Sequence, residues 1–104
     1  MRRALGLMVM KRYTVHFEGR VQGVGFRFTT QRIADSHEVA GYVQNLSDGR
    51  VRLVAEGSGQ AVQSFLDDVR AQMDRYLNKT NVREEAATGE FGEPASADSF
   101  GIRY

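Results

Sequence analysis

Gly23, Gly25 and Arg27 stand at alternate positions in Gly19-Arg20-Val21-Gln22-Gly23-Val24-Gly25-Phe26-Arg27, where a strand-like alternation gives way to helical spacing. Glycines let successive backbone N–H groups turn toward one point without Cβ clashes. A helix starting directly after them presents its first unpaired N–H groups and the positive end of its dipole to the same point. Arg27, on the first turn, adds a fork of donors suited to phosphate oxygens. Together these residue types can hold an anion. Two better-known phosphate loops do not fit. A Walker-type loop needs Gly-Lys-Ser/Thr, whereas Gly25 is followed by Phe26 and Arg27. A dinucleotide loop needs a glycine three residues after Gly25, where Phe28 stands. What remains is a short loop sized for one phosphoryl group. Glycines at strand-to-helix turns are common, and an arginine early in a helix is often solvated, so the stretch alone defines a cradle and not a reaction.

The elements that must position this loop can be read from periodicity. Tyr13, Val15 and Phe17 alternate with Thr14, His16 and Glu18, the pattern of a half-buried strand with His16 outward. Phe26, Thr30, Ile33, Ala34 and His37 then follow at helical spacing, which predicts a first helix from about Gly25 to Ser36. Val39 to Leu46 reads as a second strand, Ser47-Asp48-Gly49 as a tight turn, and Arg50 to Glu56 as the partner strand. In that third strand Val51, Leu53 and Ala55 are expected inward, and Arg50, Arg52, Val54 and Glu56 outward. Ser58 is placed to cap a second helix, whose apolar face is Val62, Phe65, Leu66, Val69, Met73 and Tyr76. Ala71 to Thr80 contains neither Gly nor Pro, which allows this helix to run on. Lys79 to Ala86 is expected as an edge strand, Ala87 to Ser99 with the single proline Pro94 as a mobile loop, and Phe100, Ile102 and Tyr104 as a short last strand. The order is the split βαβ, ferredoxin-like one (βαββαβ) with a short C-terminal fifth strand. It predicts an α+β fold with two helices on one face of a mainly antiparallel sheet.

In this topology the end of the second strand returns to the edge where the first strand ends and the first helix begins, so Asn45 can approach Arg27. Alone, an Asn before Ser-Asp-Gly is more often a turn residue. The glycine stretch, followed eighteen residues after Arg27 by Asn45 in Gly41-Tyr42-Val43-Gln44-Asn45-Leu46-Ser47-Asp48-Gly49-Arg50-Val51, resembles the paired signature of the acylphosphatases. The similarity continues through Val54-Ala55-Glu56-Gly57 and Phe100-Gly101-Ile102-Arg103-Tyr104. The resemblance implies a hydrolase that cleaves the carboxyl-phosphate bond of small acyl phosphates. In it the amides of Gln22, Gly23, Val24, Gly25, Phe26 and Arg27, with the Arg27 guanidinium, bind the phosphoryl group, and Asn45 orients the attacking water. Asn suits that task because it offers an acceptor and two donors without adding negative charge beside a dianion. Phosphate is then product and weak inhibitor, and no metal or other cofactor is expected. Two departures lie away from the site: the short Gly-Pro turn that many members carry after the second helix is missing, and residues 1–10 are an extension, expected to be disordered, before a domain spanning 11–104.

Composition removes several other functions. The chain has 104 residues, one small domain, and a formal charge of +1, too weak for a broad nucleic-acid or membrane surface. It has no cysteine, hence no disulfide and no thiol chemistry, which suits a cytoplasmic, reducing setting. The N-terminal apolar run is too short to span a bilayer, and Lys11 and Arg12 stand where a signal peptide would carry small residues. His16 and His37 are far apart and do not suggest a metal site. Single-stranded RNA binding, which this fold also supports, needs aromatics that the third strand lacks. A domain that binds phosphate or an acyl phosphate without turning it over is the other open reading. A monomer is expected.

Overall fold

The computed structural model describes residues 9–94 and 99–104. Five strands and two helices follow in the expected order: β1 (Met10–Gly19), α1 (Phe26–Ala34), β2 (Ala40–Asn45), β3 (Val51–Ser58), α2 (Gly59–Met73), β4 (Leu77–Ala86) and β5 (Phe100–Arg103). The sheet order is β4-β1-β3-β2-β5. All neighbours run antiparallel except β2 and β5, which are parallel. Among the described residues no helix is long and apolar enough to cross a membrane. Of the expected N-terminal extension, residues 1–8 lie outside the described residues, and Met10 already belongs to β1.

Alternation decides which face of the sheet is covered. Tyr13, Val15 and Phe17 of β1, Val43 of β2 and Val51, Leu53 and Ala55 of β3 point to one side, where Phe26, Ala34, Val62, Phe65, Leu66, Val69 and Met73 of the helices pack on them. Ser58 caps α2 as its sequence suggested, its Oγ accepting from the Ala61 amide at 3.1 Å. Nε2 of His37, just beyond α1, lies 2.7 Å from Asp68 Oδ2 and ties the two helices together. Helix α2 does not run on as its composition allowed. It stops at Met73, one 3-10 turn over Asp74–Tyr76 follows, and β4 starts at Leu77. Tertiary pairing along the whole of β1 overrides local propensity there.

The outer face departs from simple alternation. Val54 and Glu56, expected outward, are both buried. The loop expected to be mobile accounts for Glu56: residues 88–91 fold back over this face, while 95–98 lie outside the described residues. Glu56 Oε2 accepts from the Thr88 amide at 2.8 Å and from the Thr88 hydroxyl at 2.9 Å, and Oε1 accepts from the Gly89 amide at 2.9 Å. Arg12 Nη1 reaches Glu56 at 3.3 Å and Glu90 at 2.7 Å, with its guanidinium over the Phe91 ring. The Phe91 ring in turn meets the edge of Tyr42. Burial pushes the Glu56 carboxyl up, but the amides of Thr88 and Gly89, the Thr88 hydroxyl and Arg12 outweigh it and hold the pKa below its ordinary value of 4.5. The depressed value means that this carboxylate stabilises the fold fully above about pH 4.5 and loses its contribution as pH falls through the folded-state pKa. Glu56→Gln is expected to destabilise the protein by about 1–3 kcal/mol and to flatten this acid limb, as read by urea unfolding between pH 7 and pH 3.

Candidate active site

The glycine loop is held by its two ends. Val21 and Phe26 are buried, Phe26 with its ring centroid 5.0 Å from that of Phe17, while Gln22, Gly23 and Gly25 between them are exposed. The start of the loop is fixed by the Arg20 amide, which donates to the Tyr76 carbonyl at 2.9 Å. Gly23 and Gly25 have φ of 80° and 77°, the left-handed region that disfavours a Cβ, and this lets the chain turn back before α1.

Helix α1 therefore begins with exposed charge to offer. Its cap is Gly25, with no side-chain hydrogen bond, and its first turn holds no acidic residue. The Thr29 amide donates to the Gly25 carbonyl at 3.0 Å, closing the first turn, and the amides before it have no helical acceptor. Arg27 projects from this turn, half-exposed, its guanidinium carbon 4.9 Å from the centre of the Tyr104 ring. The positive end of the helix and a fixed cation thus share one location, a favourable setting for an anion.

Asn45 is the last residue of β2, paired with Val51 of β3. After it Ser47, Asp48 and Gly49 form the expected turn. Asp48 Oδ1 accepts from the Arg50 amide at 3.1 Å, Oδ2 accepts from Arg50 Nε at 2.9 Å, and Gly49 has φ of 96°. The Arg50 amide bond first, with the Arg50 side chain, holds the Asp48 carboxyl below its ordinary pKa against the opposing effect of burial. Asp48 is thereby committed to the turn. Asn45 differs: its Oδ1 is buried and accepts no hydrogen bond among the described residues.

A cleft of about 280 Å³ brings these parts together, lined by Val21, Gly23, Gly25, Phe26, Arg27, Phe28, Asn45, Ile102 and Tyr104. Arg27 and Asn45, from different elements, open on the same space, as do the two loop glycines. Sequence reasoning missed two features here. Gln22 had been assigned only its main-chain amide, but its side-chain Nε2 donates to the carbonyls of Leu46 at 2.8 Å and Arg50 at 2.9 Å, so it ties the loop to the turn that follows Asn45. No local pattern signals this bond, because its partners lie on another strand pair. Gln22→Ala is expected to speed amide hydrogen exchange over residues 46–50 by about tenfold, the equivalent of one to two lost hydrogen bonds. The second feature is the aromatic rim of Phe28 and Tyr104.

Two helices on one face of a five-stranded sheet, with a glycine loop between β1 and α1 that lines a cleft, define a ferredoxin-like α+β domain. The acylphosphatase family model matches residues 13–101. An acylphosphatase from Thermotoga maritima is 42% identical over 95 residues, covering 91% of this chain and 99% of that protein. One from Bacillus subtilis strain 168 is 49% identical over 61 residues, 59% of this chain and 67% of the relative. The crystal structure of acylphosphatase from Bacillus subtilis superposes with a TM-score of 0.75 at 35% identity, over 90% of this chain and 99% of the other. The chain belongs to the acylphosphatase family.

Proposed function

We propose that Arg27, the amides of Gln22 to Arg27 and Asn45 are the machinery with which this chain hydrolyses the carboxyl-phosphate bond of small acyl phosphates. The observation that carries this reading is the shared cleft, which Arg27 and Asn45 both line although they are eighteen residues apart in the chain. The phosphoryl group sits over the glycine loop, its equatorial oxygens accepting from the loop amides and from Arg27. A buried carbonyl oxygen without a partner costs about 1–3 kcal/mol, so Asn45 Oδ1 is poised to accept a hydrogen bond from the attacking water and hold it in line. Water oxygen bonds to phosphorus as the phosphorus–acyloxy bond breaks. The carboxylate leaves with the electron pair, and the water's proton passes to a phosphoryl oxygen of the substrate itself. A carboxylate is a good leaving group, so no general acid is required, and positioning with charge stabilisation does the catalysis. The binder without turnover is disfavoured by Asn45, which a phosphate receptor does not need.

Inorganic phosphate fits the same cradle and inhibits weakly as product. One chain carries every residue of the site, so a monomer is sufficient for the reaction, and the lack of cysteine suits the cytoplasm. The expected boundary at residue 11 moves back by one, since Met10 is the first residue of β1 and pairs with Ser58, and we take residues 10–104 as the catalytic domain. The test is release of phosphate from benzoyl phosphate and acetyl phosphate with a chelator present. Turnover under these conditions is expected, with phosphate competing against substrate. Absence of turnover above background would overturn the enzymatic reading, and activity abolished by the chelator would overturn the metal-free one.

A further inference from the structure

Phe28 and Tyr104 are large aromatic side chains left 73% and 91% exposed, the two most exposed large hydrophobic residues among those described. Neither stabilises the fold in that state, since an exposed ring has gained nothing from burial. Both line the cleft that holds Arg27 and Asn45. They also flank Arg27 in different ways: Phe28 is its neighbour on α1, and the Tyr104 ring lies under its guanidinium. Ile102 of β5 and the half-buried Val24 of the loop add apolar surface nearby, Ile102 lining the same cleft.

From this arrangement the geometry points to a second subsite, continuous with the phosphate cradle, in which Phe28 and Tyr104 receive the acyl group of the substrate and favour aromatic or extended apolar acyl phosphates over acetyl phosphate. This rests on the acyl-phosphate reading of the cradle. With the phosphoryl group over the glycine loop, the acyl group must leave the cradle, and the rim at its mouth is aromatic. A planar acyl group can stack on Phe28 and Tyr104 and shield them from water; an acetyl group is too small to reach both. Arg27 links the two halves, with its donors directed to the phosphoryl oxygens and its flat face on Tyr104.

The test separates this subsite from hydrolysis itself. Binding of phenacylphosphonate and acetonylphosphonate, which have a P–C bond in place of the cleavable P–O bond, is measured by NMR titration for the intact protein and for Phe28→Ser. Tighter binding of the phenacyl compound is expected, with its advantage reduced about tenfold in the variant and the acetonyl affinity unchanged within twofold. In parallel, kcat/KM for benzoyl phosphate should fall by a similar factor in Phe28→Ser, through KM, with acetyl phosphate unaffected. Phe28 is exposed, so the variant folds. Equal affinity of the intact protein for the two phosphonates, or an equal loss for both in Phe28→Ser, would overturn the acyl subsite. Failure of acylphosphate turnover with the phosphonate preference intact would instead count against the hydrolase reading alone.

Discussion

Replacing Arg27 with glutamine is expected to lower kcat/KM for benzoyl phosphate by at least about a hundredfold to a thousandfold, with a raised KM and a matching loss of inhibition by phosphate. Glutamine keeps a donor near the same place but removes the charge and the planar fork, so it cannot grip two phosphoryl oxygens at once. The loop amides and the end of α1 still attract an anion, which is why binding weakens and does not vanish. Because charge on the equatorial oxygens is what the site must stabilise, kcat should fall together with affinity. The side chain is half-exposed and its contact with Tyr104 is at the surface, so the unfolding midpoint should stay within a few degrees. A variant that retained more than a tenth of the activity would show that the amides alone carry phosphoryl binding. One that lost activity together with its fold would be uninformative about charge, and Arg27→Lys then decides: it keeps the cation, and should recover binding more than turnover.

Asn45→Ala is expected to separate the two steps. Its kcat should drop about a hundredfold or more, while KM and phosphate inhibition change little, because the phosphoryl group is held by the loop and Arg27. A stability measurement adds a second, independent check. Asn45 Oδ1 is buried without a protein partner, so deleting it removes a desolvation cost along with the side chain's packing. The ligand-free variant should therefore unfold at the same denaturant concentration as the parent or a higher one, the signature of a group kept for function. Asn45→Asp should fare worse than Ala in affinity, since a carboxylate beside the phosphoryl oxygens repels them. Near-normal kcat in Asn45→Ala would mean that the water is positioned by another group.

Much of this molecule is legible before it folds, and the reasons are local. Tyr13, Val15 and Phe17 announce β1 by period two, and the α2 stripe from Val62 to Met73 announces its helix by period 3.6, because each set buries one face against the other. Ser58, Gly49 and the loop glycines carry their conformations in their own chemistry. Arg27 and Asn45 are suggested by residue type, and the topology then places them at one cleft. What stayed hidden depends on residues far away in the chain. The burial of Glu56 requires Thr88 and Gly89, the end of α2 is set by the pairing of Leu77 with Gly19, and the anchoring role of Gln22 requires the carbonyls of Leu46 and Arg50. The acyl subsite was only half readable: helical spacing leaves Phe28 off the apolar face of α1, but only the folded chain brings Tyr104 to the same cleft.

The strand order has a consequence for how the chain is made. β1 is made before both of the strands that flank it, for in the finished sheet it lies between β3 and β4. Its β3 partner follows within a few tens of residues, but residues 77–86 emerge only after α1, β2, β3 and α2 have all been made. Until then one side of β1 presents a full row of unsatisfied backbone donors and acceptors on a strand that carries Tyr13, Val15 and Phe17, a template for pairing with a neighbouring nascent chain. β4 closes that side and replaces it with an outer margin bearing Lys79, Arg83, Glu84 and Glu85, whose charges resist further strand addition. Truncation before β4 should therefore yield inclusion bodies and not a smaller soluble domain, and the last strands of this enzyme act as its own guard against self-association.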